Sequence, residues 1–374
     1  MSNPALPEHS SLDIEAFSRI FRNRNSSYKF LWMQAILRVV ALGKCRDNAI
    51  PVNLLVAHMF EIAKYPLRKF RLAFGLNDRI DMHLRDLGEV KAWEDIQRNI
   101  FECNIAGRAE EIPGHIVRKM MKFVPYRMLI PFFPGNQLGK FSERTQHEVI
   151  ATLSRRNFES EKPPLYRLLP GMEAIELHPL WRNYLEVNLS IVEAWAKWHW
   201  AKYLQTCNPN SPAIQSKLEK PDSRAALSRE REFWRWVIGK RAGEIICIFS
   251  GEDLDMGDFA LDHYLPRDFI AHDQIWNLSP VSQAANAQKS NMLPPRESFE
   301  RFVQIQHIGL TTYHAARPGK YRKLMDEYLA GINVSVWNEN PPSLADLQSA
   351  YSQVILPLWQ LAKNNGFRIW SEES

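Results

Sequence analysis

Cysteine is scarce in this chain of 374 residues, with four in all: Cys45, Cys103, Cys207 and Cys247. No two of them form a CxxC pair, so the spacing supplies no disulfide framework and fits reduced, intracellular thiols. Long apolar runs are also missing. The stretches 36–42 and 52–60 are short and interrupted, whereas spanning a bilayer takes about 20 apolar residues. The N-terminal stretch MSNPALPEHSSLDIEAF lacks a basic region followed by an apolar one, so no secretory leader is expected. Neither sign of charge dominates. The net charge of +5 is compatible with nucleic acid without being diagnostic of it. Internal repeats and low-complexity tracts are absent, and strand-like segments are few. A cytoplasmic protein with no direct membrane insertion is the expectation.

The length exceeds what one hydrophobic core usually serves, so two or three domains are expected. Apolar residues recur at helical spacing over 14–21, 28–42, 52–64, 92–101 and 116–123. The longest helical pattern runs over 180–203 and contains Trp195, Trp198 and Trp200. These read as a buried aromatic face rather than a base-stacking platform. Residues 166–169 and 174–177 flank Pro170-Gly171 and predict a short hairpin. Residues 1–12 read as a loose tail. The polar, proline-rich stretch 208–224 reads as a linker, with the main boundary near 222. A basic helix follows over 227–241, whose charges read as a solvated face. Further helical patterns cover 297–310, 321–329 and 344–364.

The chemistry concentrates between Cys247 and Pro294. Strand-like alternation over 259–265 carries Asp262-His263 and ends at Pro266. A second strand-like piece, 276–281, carries Asn277. Ser282 then reads as the cap of a helix bearing Asn286 and, three residues on, Lys289. Two strands followed by a helix would set Asp262 and His263 opposite Asn286, across a metal-sized gap. Each residue type suits phosphodiester hydrolysis. Histidine titrates near neutrality and can take a proton from water. Asp262 offers an anionic oxygen and Asn286 a neutral one, a sparse oxygen set of the kind that holds Mg²⁺ together with water. Asn277 can fix the loop between the strands through backbone hydrogen bonds. Lys289, on the same helical face as Asn286, is expected to meet a nucleic-acid phosphate. His272 reads as a loop-stabilising or DNA-contacting residue rather than a ligand.

DHYLP, WNLSP and NAQKSNMLP together resemble the HNH endonucleases of the ββα-metal class, with His263, Asn277 and Asn286 in the three motif positions of an HNN variant. The match is especially close to the HNH domain of RNA-guided CRISPR effectors. The resemblance implies His263 as general base, Asn277 as the loop-fixing residue of the catalytic set, and Asp262 and Asn286 as ligands of one Mg²⁺ or Mn²⁺ per site. Many such domains also hold a structural zinc on two CxxC pairs. Here those positions read Cys247, Ser250, Ser282 and Ala285, so no structural zinc is expected and apolar packing must replace it. The implied architecture is mainly α with an embedded α+β module. It comprises a helical N-terminal domain over 1–222 that binds DNA or a partner, an HNH domain over 223–310, and a helical C-terminal segment over 311–374.

Segments 25–37, 65–81, 124–133 and 208–218 resemble the HNH nuclease subunits of bacterial Zorya-type anti-phage defence systems. That likeness implies double-stranded phage DNA as substrate and other defence subunits as partners. The basic residues Arg68, Lys69, Arg71, Arg118, Lys119 and Lys122 are candidate contacts, with solvated surface charge as the competing reading. A catalytically silent HNH-like module for DNA binding or assembly is the alternative function, and RNA is not excluded as substrate.

Overall fold

Most of the chain has the composition and periodicity of amphipathic helix, and the computed structural model is mostly helical with little sheet. It describes residues 6–23, 26–45, 47–133, 135, 142–220, 226–332 and 340–371. The chain divides into two compact units. One comprises Met1–Pro209 with Ile214–Lys220; the other comprises Asn210–Ala213 with Pro221–Ser374. The boundary expected near 222 lies outside the described residues.

The first unit is organised by helix Tyr28–Ala41, which is buried on nearly every face, from Phe30 through Val40. A helix apolar all round belongs at a centre. Helices Val52–Arg68 and Leu189–Cys207 pack on it. The predicted hairpin forms: β2 (Tyr166–Leu168) pairs antiparallel with β3 (Ala174–Leu177), and Gly171 takes a φ of 71° in the turn. A third, unforeseen strand, β1 (Ala49–Pro51), adds to the other edge of β3.

Three local expectations change. The helix expected over 180–203 is broken into Pro179–Val187 and Leu189–Cys207, because Asn188 leaves helical geometry and its amide donates to the Tyr184 carbonyl. The helix expected over 92–101 splits into a 3₁₀ turn, Lys91–Trp93, and a short helix, Asp95–Asn99. There the indole of fully buried Trp93 donates to the Glu111 carbonyl. The tail is not loose over 6–12, since Leu6 and Leu12 are buried and the Tyr184 hydroxyl donates to the Pro7 carbonyl. Residues 1–5 are outside the described residues. Trp195 and Trp200 are core residues, as the aromatic-face reading expects.

In the second unit, β4 (Ala260–His263) and β5 (Leu278–Val281) form an antiparallel pair, followed by the motif helix Gln283–Lys289. Isolated two-stranded pairs are marginal in water. This one is enclosed by helices Ser228–Lys240, Phe299–Ala316, Pro318–Ile332 and Leu344–Asn364, whose Trp234, Phe302, Tyr328 and Tyr351 share one core with Cys247, Leu261 and Val281. Several buried polar groups in that core find partners, although the Trp234 indole N–H has none among the described residues. Gln306 donates to the Leu278 carbonyl of β5 and accepts from the Tyr328 hydroxyl, while the Tyr351 hydroxyl donates to the Trp276 carbonyl. Beyond the motif helix, Trp359 donates to the Pro294 carbonyl, and Leu293 bridges Ile369 in parallel. The C-terminal helices therefore share the core of the Asp262-His263 segment.

Gly331 meets the Trp276 indole so closely that a Cβ there would overlap ring atoms. Gly331→Ala should lower stability by about 1–3 kcal/mol through overpacking. Urea unfolding measures this, and an unchanged midpoint would mean that Trp276 can move aside.

Candidate active site

Asp262 pairs with Ser279 across the two strands and His263 pairs with Leu278, which sets both residues at the end of the sheet. The strand ends at His263, short of the expected Pro266, and the chain returns to β5 through a short helix, Arg267–Ile270, and a 3₁₀ turn, Ile275–Asn277. Asn277 holds this excursion closed. Fully buried, it donates from Nδ2 to the Leu265 carbonyl and accepts at Oδ1 from the Leu265 amide, both at 2.9 Å. The Asn277 carbonyl also accepts from the Tyr264 amide at 2.8 Å. Removing that amide would leave two buried backbone groups unpaired, at about 1–3 kcal/mol each.

The motif helix packs on β4. Ser282 caps it, its hydroxyl accepting from the Ala285 amide at 3.3 Å. Asp262 is 5% exposed, and its Oδ2 lies 2.8 Å from the Lys289 ammonium. The two form a buried ion pair. Burial pushes the Asp262 carboxyl above the usual range, and Lys289 opposes the rise. Lys289 was expected to reach a phosphate. It is instead 0% exposed and donates to the His263 carbonyl at 2.9 Å. A buried ammonium serving a buried carboxylate is not available to a nucleic-acid backbone. The sequence could not separate these roles, because i and i+3 spacing fixes a helix face but not whether that face is wet.

His263 is partly exposed, and its Nε2 lies 2.9 Å from Asp273 Oδ1. Arg267 clamps the same carboxylate, with Nε 2.7 Å from Oδ1 and Nη2 3.2 Å from Oδ2. The hydrogen bond with His263, together with Arg267, holds the Asp273 carboxyl well below the usual range. An ionised carboxylate only accepts, so the proton of the contact sits on Nε2 and leaves Nδ1 as the lone-pair nitrogen of the neutral ring. Asp273 and Arg267 were missed in the sequence. The only signal was an acid ten residues beyond the histidine in a loop, which spacing alone does not distinguish from a solvated charge. His272 accepts from the Gln274 amide and packs on Trp276, a loop-stabilising position.

Asn286 stands on the motif helix, half-buried. Among the described residues, no three His, Cys, Asp or Glu side chains gather into a metal-holding group. Asp262 and Asn286 would supply two oxygens and leave the remaining positions to water and substrate, which suits a hard divalent cation. Asp262 would then share its carboxylate between that cation and the Lys289 ammonium.

The turn after Cys247 is tightly closed. The Gly251 amide donates to the Cys247 carbonyl and the Cys247 amide to the Glu252 carbonyl, with Gly251 at a φ of 75°. The Cys247 thiol is buried, 3.8 Å from the Ser282 hydroxyl. One thiol, two hydroxyls and a methyl do not make a tetrahedral zinc site. Because the turn is already shaped, the triple substitution Ser250→Cys, Ser282→Cys, Ala285→Cys should bind about one equivalent of Zn²⁺ and raise the melting temperature. Absence of zinc uptake by metal analysis would show that the four positions do not converge.

No curated protein and no solved structure matches this chain. Residues 247–295, which carry β4, β5, the motif helix and every residue of the constellation above, match the family model of the HNH endonucleases, and that match speaks for nuclease chemistry in the second unit.

Proposed function

We propose that the second unit is a divalent-metal-dependent endonuclease that hydrolyses DNA phosphodiester bonds, with His263 as general base. The observation that carries this reading is the oriented imidazole. Asp273 accepts a hydrogen bond from Nε2–H, which leaves the Nδ1 lone pair to take a proton from the attacking water. Asp273 also stabilises the imidazolium that forms, and Arg267 keeps Asp273 in place. Asn277 fixes the loop that carries both partners of the imidazole. Asp262 and Asn286 would hold Mg²⁺ or Mn²⁺, which when bound supplies Lewis-acid stabilisation of the scissile phosphate and the departing oxygen. A single site of this kind cuts one strand per event, so nicking is the expected outcome.

One observation favours the silent alternative: Lys289 already neutralises Asp262. A plasmid assay separates the two readings. Supercoiled DNA with Mg²⁺ should yield open circles, EDTA should stop the reaction, and His263→Ala should slow it by about 10²–10⁴-fold. Nicking by His263→Ala at the wild-type rate would end the assignment. Salt-sensitive DNA binding without cleavage by the wild type would establish the silent module.

Asp273 is a positioning residue, and Asp273→Asn should lower kcat at least about tenfold while leaving KM for the plasmid near wild type. A rise in KM with kcat unchanged would assign it to DNA binding instead. We extend the functional reading to anti-phage defence on the likeness of segments 25–37, 65–81, 124–133 and 208–218 to Zorya-type nuclease subunits. Phage resistance in cells carrying the intact locus should disappear with His263→Ala. Retained resistance would remove the catalytic part of that role.

A further inference from the structure

The first unit contains a cavity of about 1270 Å³ whose lining charge is strongly one-sided. Seven Lys and Arg residues line it against one acid, Asp13, and that carboxylate is engaged in capping the Ala16 amide at 2.8 Å. The cations converge from separate parts of the chain. Arg22 follows helix Ile14–Ser18, Lys29 lies in helix Tyr28–Ala41, Arg79 precedes helix Ile80–Gly88, and Lys122 and Arg127 flank the turn at Phe123. Among the described residues, Arg22, Arg79 and Lys122 have no carboxylate at ion-pair distance. Like charges gathered from five segments cost folding energy unless an anion uses them. Lys29 shows the cost: burial, and then the neighbouring Arg127, push its ammonium down to about 8.

The cavity also has an apolar lining. Met120, Val124, Ile130 and Phe132 line it, and the Phe123 ring lies beneath the Lys122 ammonium and the Arg127 guanidinium at 4.6 and 4.5 Å. A cavity lined by cations, apolar side chains and an aromatic ring suits a ligand that carries both an anionic group and a flat heterocycle. Its volume is at or above the upper end for small-molecule clefts, which run to about 1,000 Å³. Of the basic residues expected in the sequence to contact DNA, Lys119 and Lys122 line this cavity, whereas Arg68 is paired with Asp81 at 3.0 Å.

We propose that this cavity binds a phosphorylated nucleotide, with the phosphate on Arg22, Arg79 and Lys122 and the base against Phe123 and its apolar neighbours. A free nucleotide and the 5′-phosphorylated end of a strand present this same chemistry. The inference stands independently of the nuclease reading, because it concerns the other unit and its test involves no cleavage.

Calorimetric titration of the full chain in EDTA, with ATP and with the dinucleotide pTpT as probes, tests it. At least one probe should bind in the micromolar range, and unphosphorylated TpT at least about tenfold more weakly than pTpT. Tighter binding of ATP would identify a free nucleotide as the natural source, and tighter binding of pTpT a strand end. The double variant Arg79→Gln, Lys122→Gln alters two exposed side chains and should weaken binding at least about tenfold. Lys91→Gln, outside the cavity, should leave it unchanged. The proposal is overturned if neither probe binds at about 1 mM, if TpT equals pTpT, or if the double variant binds like the wild type.

Discussion

One thiol at four knuckle positions is the constraint around which the second unit is built. A ββα module with a structural metal can fix its own strands and helix, because zinc binding contributes folding free energy directly. With Cys247 facing the Ser282 hydroxyl instead, that contribution is gone, and a two-stranded sheet has little stability of its own. The helices on either side of the motif take over. Gln306 reaches from helix Phe299–Ala316 to the β5 backbone, and Tyr351 reaches from helix Leu344–Asn364 to the Trp276 carbonyl next to Asn277. The residues that hold the loop of the site are thus tied to elements up to 75 residues away in sequence.

That dependence explains the division of labour among the charged side chains. Asp262 and Lys289 are both removed from water, and each makes the burial of the other tolerable. Asp273 is only partly buried and keeps its charge through His263 and Arg267. The site therefore holds two carboxylates in opposite states of tension. One is pushed toward protonation by burial while Lys289 opposes the rise, and the other is pinned as an anion behind the imidazole.

The first unit places its charge differently. Its helices bury Trp32, Trp181 and Trp200 in the core, while cations from five segments are left facing one cavity. Helical periodicity accounts for the apolar half of that arrangement, because each buried face repeats along one helix. It says nothing of the cationic half, whose members are distant in sequence.

Several features were legible without the fold. Strand alternation and a serine cap are local signals, and they placed Asp262 and His263 on a strand and Asn286 on a helix, whereas Asn277, expected on the second strand, ends a 3₁₀ turn just before it. Asn277 makes the backbone hydrogen bonds its residue type suggests. Helices Ile80–Gly88 and Glu143–Arg156 were not foreseen, because they lie in charged stretches of low hydropathy although their apolar residues repeat at helical spacing. The break at Asn188 depended on one side chain competing for a backbone carbonyl. Tertiary structure alone decided the partner of His263, the burial of Lys289 and the cavity of the first unit. Each depends on which groups lose their water and which charges meet, and those are properties of contacts between residues far apart in the chain rather than of residue type and spacing.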